Sequence, residues 1–100
     1  MTKQSRNPAV YILANKRNGT LYIGVTSDLI QRIHQHKEKI TDGFSKKHDC
    51  SNLVFFEIHE TMESAILREK QIKGGSRKKK LALIENKNPE WQDLYEEIIK

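Results

Sequence analysis

Apolar residues fall into short β-like runs at the start and middle of the chain and into helix-spaced stripes elsewhere. Ala9 to Ala14 (Ala-Val-Tyr-Ile-Leu-Ala) is apolar at every position, which suits a central strand covered on both faces. Leu21 to Val25 is a second β-prone run, and Asn15 to Gly19 turns the chain between them. Asn18-Gly19 readily supplies the positive φ angles of a tight hairpin, so the two runs are expected to pair antiparallel. Leu53 to His59, β-branched and aromatic, is the third predicted strand.

The helical stripes come with caps. Ser27 or Asp28 can cap a first helix, with Gln31 placed as a reciprocal partner, and Leu29, Ile33 and Ile40 form its apolar stripe. Arg32 and His36, four apart, lie along the edge of that stripe. Thr41 to Asn52 reads as a loop or short excursion. Thr61 caps a second helix whose stripe is Met62, Ala65, Ile66 and Ile72, and Gly74-Gly75 is expected to end it in the left-handed conformation. Ser76 caps a third helix through Leu81, Leu83 and Ile84. After a turn at Asn86 to Pro89, Trp91, Leu94, Tyr95 and Ile98 give a last helix one stripe. The predicted order is β-β-α-β-α-α-α, an α+β chain. Residues 1–8 are expected to form a flexible N-terminus, and 9–100 a single domain without repeat or linker.

Charge narrows the partners. The net charge of +5, concentrated in Lys46-Lys47 and Arg77-Lys78-Lys79-Lys80, suits a polyanion, although basic runs also serve simply as solvated faces. No apolar run approaches membrane-spanning length and the start of the chain lacks the apolar block of a secretory signal, so the cytoplasm is the expected compartment. The lone Cys50 excludes an intramolecular disulfide. A phosphate-cradling glycine loop, a nucleophilic-serine elbow and a paired-cysteine motif are all missing, which sets those enzyme classes aside. His34, His36, His48 and Cys50 suggest a zinc quartet at first sight, but residues two apart on a helix point to nearly opposite sides.

Glu69 is the anomalous charge, since it falls in the middle of an apolar stripe. A carboxylate there needs a salt bridge to Arg32 or a neighbouring lysine, a helix rotated to bring it to water, or a hard divalent cation. Arg32 offers a planar fork suited to phosphate, and His36 can move a proton near neutral pH. Tyr11 and Tyr22 lie on adjacent strands, where a buried tyrosine commonly serves as core with its hydroxyl satisfied at the edge, and standing alone they read that way.

Taken together, Ala9-Val10-Tyr11, Tyr22-Ile23-Gly24, Arg32, His36 and Glu69 resemble the GIY-YIG endonuclease superfamily. The resemblance spans about Val10 to Tyr95 and is greatest to small single-domain proteins related to the nuclease domain of the bacterial excision-repair subunit UvrC. The stretches Gly19 to Thr26, Arg68 to Lys73 and Asn88 to Trp91 look typical of that subgroup. It implies a three-stranded antiparallel sheet flanked by helices, and hydrolysis of DNA phosphodiesters with one Mg²⁺ or Mn²⁺. Glu69 would hold the metal, Arg32 would clamp the phosphate, and Tyr11 or Tyr22 would activate water with His36 as relay. Gly24 and Thr26 would support the site, with Asn88 a candidate for the late polar residue of some members. The first motif lacks its usual glycine, and Val25 stands where some members carry a lysine. Lys37, Lys46, Lys47, Lys73, Arg77, Lys78, Lys79 and Lys80 are the candidates for gripping backbone phosphate. The alternative is a non-catalytic nucleic-acid-binding module on the same fold. Site selection would come from this small face, from a homodimer or from a protein partner.

Overall fold

In the computed structural model, residues 7–39 and 43–100 are described. The organising element is β1 (Ala9–Ala14), buried at all six positions. β2 (Leu21–Thr26) and β3 (Asn52–Ile58) pair antiparallel on its two edges, in the order β2-β1-β3. A strand with neighbours on both edges and helices over both faces has no wet position, which is why its polar-free sequence is required.

One face carries Val10, Ile12, Ile23, Val54 and Phe55 under α3 (Met62–Lys73) and α4 (Arg77–Lys87), with Ala65, Ile72 and Ile84 completing that core. The opposite face carries Ala9, Tyr11, Leu13 and Leu53 under α1 (Leu29–Lys37) and α5 (Tyr95–Ile98). The expected order therefore holds, with one addition: the excursion after α1 contains a single-turn helix, α2 (Phe44–Lys47). Ile40 and residues 1–6, part of the predicted first stripe and N-terminus, lie outside the described residues. Among the described residues no helix is long and apolar enough to cross a membrane.

Thr61 and Ser76 cap α3 and α4 as expected, accepting from Ser64 N and Lys79 N. Several local expectations are corrected. In the hairpin the left-handed φ belongs to Asn18 (57°), and Gly19 serves instead for space, because a Cβ there would meet Asn15 Oδ1, which accepts from Thr20 N at 2.9 Å. Gly74 ends α3 with φ of −76°, not in the left-handed region. There the last turn tightens, with Gly75 N donating to Ile72 O at 3.1 Å. Asp28 does cap α1 by accepting from Gln31 N at 3.2 Å, but the reciprocal arm is absent because Asp28 N already donates to Thr26 Oγ1 at 3.0 Å.

The α3 stripe is narrower than its sequence suggests. Ala65 and Ile72 are buried, whereas Met62 and Ile66 stand each 36% exposed. Trp91 does not belong to the last helix: it has φ of 56° and packs in the α3–α4 core. The reason lies at the start of β3, where Leu53 N donates to Asp93 Oδ1 and Leu94 N donates to Leu53 O at 2.7 Å. Those bonds hold the Asp93 side chain and the Leu94 backbone to the sheet and delay the helix to Tyr95.

Candidate active site

Tyr11 on β1 lies opposite Gly24 on β2. A Cβ at Gly24 would fall 2.5 Å from Tyr11 Cζ and closer still to its hydroxyl, so glycine is the residue that lets the phenol lie across β2. Tyr22 is two residues earlier on the same face of β2, opposite Leu13. The chain then passes from β2 to α1 within a tight turn that Thr26 closes, accepting from Asp28 N and donating to Asp28 O at 3.2 Å. This fixes the rotation of α1, with Leu29, Ile33 and His36 turned inward.

The result is a cluster of three rings. Tyr11 Oη is 3.0 Å from His36 Nε2, and the Tyr22 ring lies 5.3 Å from that of His36 and 6.3 Å from that of Tyr11. Arg32, one turn before His36, is half-buried, and its guanidinium has no hydrogen-bond or ion-pair partner among the described residues.

Burial pushes the Tyr11 phenol upward, as do the neighbouring Tyr22 and the charge of Glu69, while Arg32 pulls the other way. Burial, then the Arg32 charge, pushes His36 down to about 4. At neutral pH His36 is therefore uncharged and Tyr11 protonated, so the phenol can donate to Nε2. The linkage has a definite sign. Because the folded value lies below the ordinary one near 6.5, the unfolded chain takes up a proton that the native protein refuses as pH falls. The stability held above pH 6.5 is thus lost progressively toward pH 4, by an amount on the order of 1–3 kcal/mol. Thermal melts at pH 7 and pH 5 should show this decline, and His36→Gln should flatten it; an identical decline in the variant would assign the effect to other groups.

Glu69 influences Tyr11 from α3, and its carboxylate accepts from Lys73 Nζ at 2.7 Å. Of the readings open in the sequence, the neighbouring-lysine salt bridge is thus present. The Glu69 side chain is 13% exposed and that of Lys73 56%, so the lysine can swing away. Among the described residues no group of three His, Cys, Asp or Glu could hold an ion. A metal at Glu69 would take one carboxylate and otherwise water and phosphate oxygens, a donor set that fits Mg²⁺ or Mn²⁺. The four residues once suggestive of zinc are separated in role: His36 faces Tyr11, His34 and His48 are exposed, and Cys50 is buried with Sγ 3.6 Å from Thr20 O.

The basic candidates divide. Lys46, Lys47, Lys78 and Lys79 are exposed, and Lys80 is half-buried. Lys37 is instead a structural clamp, donating to Ser51 O at 3.0 Å, paired with Asp93, and 5.2 Å above the Tyr95 ring. Arg77 donates to Asn18 O and Gly19 O, both at 2.8 Å, and so ties α4 to the hairpin. Asn88 is 5% exposed, and its amide is committed to backbone. It donates to Val54 O and Gln92 O and accepts from Gln92 N at 3.0 Å, away from the three rings.

One polar network escaped the sequence reading. His59 bridges Glu57 and Ser64 at 2.8 Å each, and Arg68 Nε donates to Glu57 Oε1 at 3.0 Å. Burial opposes the Glu57 charge, but the hydrogen bonds from His59 and Arg68 outweigh it and hold the carboxyl below its usual range. Glu57 and His59 are two apart on an extended segment, a same-face spacing that was available as a signal.

A model of the GIY-YIG catalytic domain matches residues 7–82. The chain belongs to the GIY-YIG family. It is 34% identical over 70 residues to UPF0213 proteins of Staphylococcus aureus strains Mu3 and USA300, covering 70% of this chain and 85% of each relative. Its fold is similar to the solution NMR structure of a UPF0213 protein from Bacillus halodurans, with a TM-score of 0.55 at 29% identity, over 87% of this chain and 92% of the other. In GIY-YIG terms, the two tyrosine motifs are β1 and β2 themselves, and the second glycine is the seat of the first tyrosine.

Proposed function

We propose that this GIY-YIG domain is a metal-dependent endonuclease that hydrolyses DNA phosphodiester bonds, in the cytoplasm and in the service of repair or recombination. The observation that carries the reading is the 3.0 Å contact between Tyr11 Oη and His36 Nε2, beside an Arg32 guanidinium that has no partner among the described residues. Arg32 binds a non-bridging phosphate oxygen. Glu69 would hold a divalent ion, which when bound would supply Lewis-acid stabilisation of the charge that develops on the phosphate. Tyr11 takes a proton from the attacking water as its own passes to His36, so the buried phenol never has to hold a full negative charge. The Arg32 charge beside His36 disfavours the imidazolium and returns the proton to solvent or to the leaving oxygen. Tyr22 packs against both rings and orients them.

The Lys73 ammonium on Glu69 favours a second reading, a non-catalytic nucleic-acid-binding module. Labelled single-stranded, duplex, flap and branched DNAs, incubated with Mg²⁺, Mn²⁺ or EDTA, separate the two. Metal-dependent products are expected. Binding of every substrate with none cut would leave the module reading. Tyr11→Phe should lower the cleavage rate by about 10²–10⁴, and Tyr22→Phe by much less. The reverse order would transfer water activation to Tyr22.

A further inference from the structure

Two open cavities lie on the α3–α4 side of the sheet, and neither is lined by Tyr11, Tyr22 or His36. The larger, about 730 Å³, runs between the second half of α3 and α4, with Lys70, Gln71, Lys79, Lys80, Leu83 and Asn86 on its walls. The smaller, about 640 Å³, lies between the hairpin turn and α4, walled by Asn15, Lys16, Asn18, Leu21, Arg77 and Lys80. Lys80 lines both, so the two adjoin at that side chain as a two-part trough, and neither lining contains an Asp or Glu.

Not all of its cations are available. Arg68 is held by Glu57 and by Gln71 at 2.6 Å, and Arg77 by the hairpin carbonyls. Lys16, Lys70, Lys79 and Lys80 have no ion pair among the described residues. Four cations along a concave surface, with amide side chains between them and an apolar floor of Ile23 and Ile72, match a chain of phosphates whose bases turn inward. Only unpaired bases can turn onto such a floor, because the bases of a duplex are stacked and paired inside the helix.

We propose that this trough holds single-stranded DNA flanking the scissile phosphate; the proposal rests on the endonuclease reading for its place in the reaction but not for the binding itself. Arg77 sets the spacing of its walls by joining α4 to the β1–β2 turn.

The test is fluorescence anisotropy of fluorescein-labelled dT20 over a range of NaCl, in EDTA so that cleavage is silent. Lys79→Gln/Lys80→Gln should bind about tenfold more weakly at low salt and flatten the log–log salt slope by about 1.4, the loss of two phosphate contacts to a single strand. Lys87→Gln/Lys100→Gln, which removes the same net charge elsewhere on the exposed surface, should leave the slope unchanged. A blunt duplex should bind more weakly than dT20. Equal slopes in wild type and Lys79→Gln/Lys80→Gln, an equal loss in the control pair, preference for duplex, or tighter binding of rU20 would each overturn the trough. Slope loss without cleavage by the wild type retains the trough and removes the endonuclease reading. Cleavage with an unaltered slope does the opposite.

Discussion

Gly24→Ala is expected to abolish DNA cleavage, with a loss of at least about 100-fold, although the substitution adds one methyl group and touches no substrate. The new Cβ would lie within 2.5 Å of Tyr11 Cζ. Tyr11 cannot yield easily, since it is 2% exposed in the central strand. Either the ring swings, breaking the contact with His36 Nε2, or β2 moves away from β1. Overpacking of this kind costs about 1–3 kcal/mol. In a domain of this size that lowers Tm by roughly 4–8 °C per kcal/mol. Cleavage assays below the variant's own transition, alongside a thermal melt, separate the two effects. Wild-type rates in a folded Gly24→Ala protein would remove Tyr11 from the chemistry.

The second large effect is Glu69→Gln. It keeps the size of the side chain and removes the charge that would hold a divalent ion, so metal-dependent cleavage should fall by about 10³-fold or more. Stability should scarcely change, within about 0.5 kcal/mol, because the partner is an exposed i,i+4 lysine and such pairs contribute little. Binding of DNA in EDTA should be retained or strengthened as Lys73 is released. Unchanged cleavage accompanied by a lower Tm would make Glu69 a structural anion only.

Much of this was open to a reader of the sequence alone. Six apolar residues in a row at Ala9–Ala14 announce a strand buried on both faces, and the helix caps Asp28, Thr61 and Ser76 are local signals with local causes. The spacing of Tyr11, Tyr22, Arg32, His36 and Glu69 carried the family resemblance. What spacing does not contain is pairing. That Gly24 underlies Tyr11 depends on strand register, and that Lys37 serves Asp93 depends on a contact 56 residues away. Glu69 illustrates the boundary: its position in a helical stripe signals an unusual charge, yet only the rotamers of Glu69 and Lys73 show which cation balances it. Trp91 was read into a helix because its helical spacing is right, whereas hydrogen bonds from the start of β3, distant in sequence, decide where that helix begins.

If the chain cuts DNA as proposed, the placement of Tyr11 on the fully buried β1 ties the onset of that activity to the completion of folding. Segments at a sheet centre open only with the whole molecule, whereas peripheral helices fray at lower cost. A chain emerging from synthesis has the two tyrosine strands long before α3 delivers Glu69, and β1 is not enclosed until β3 and the helices of both faces have arrived. A half-made copy therefore carries every residue of its first motif without the complete candidate site. On the proposed endonuclease reading, such a design keeps incompletely folded chains from cutting DNA.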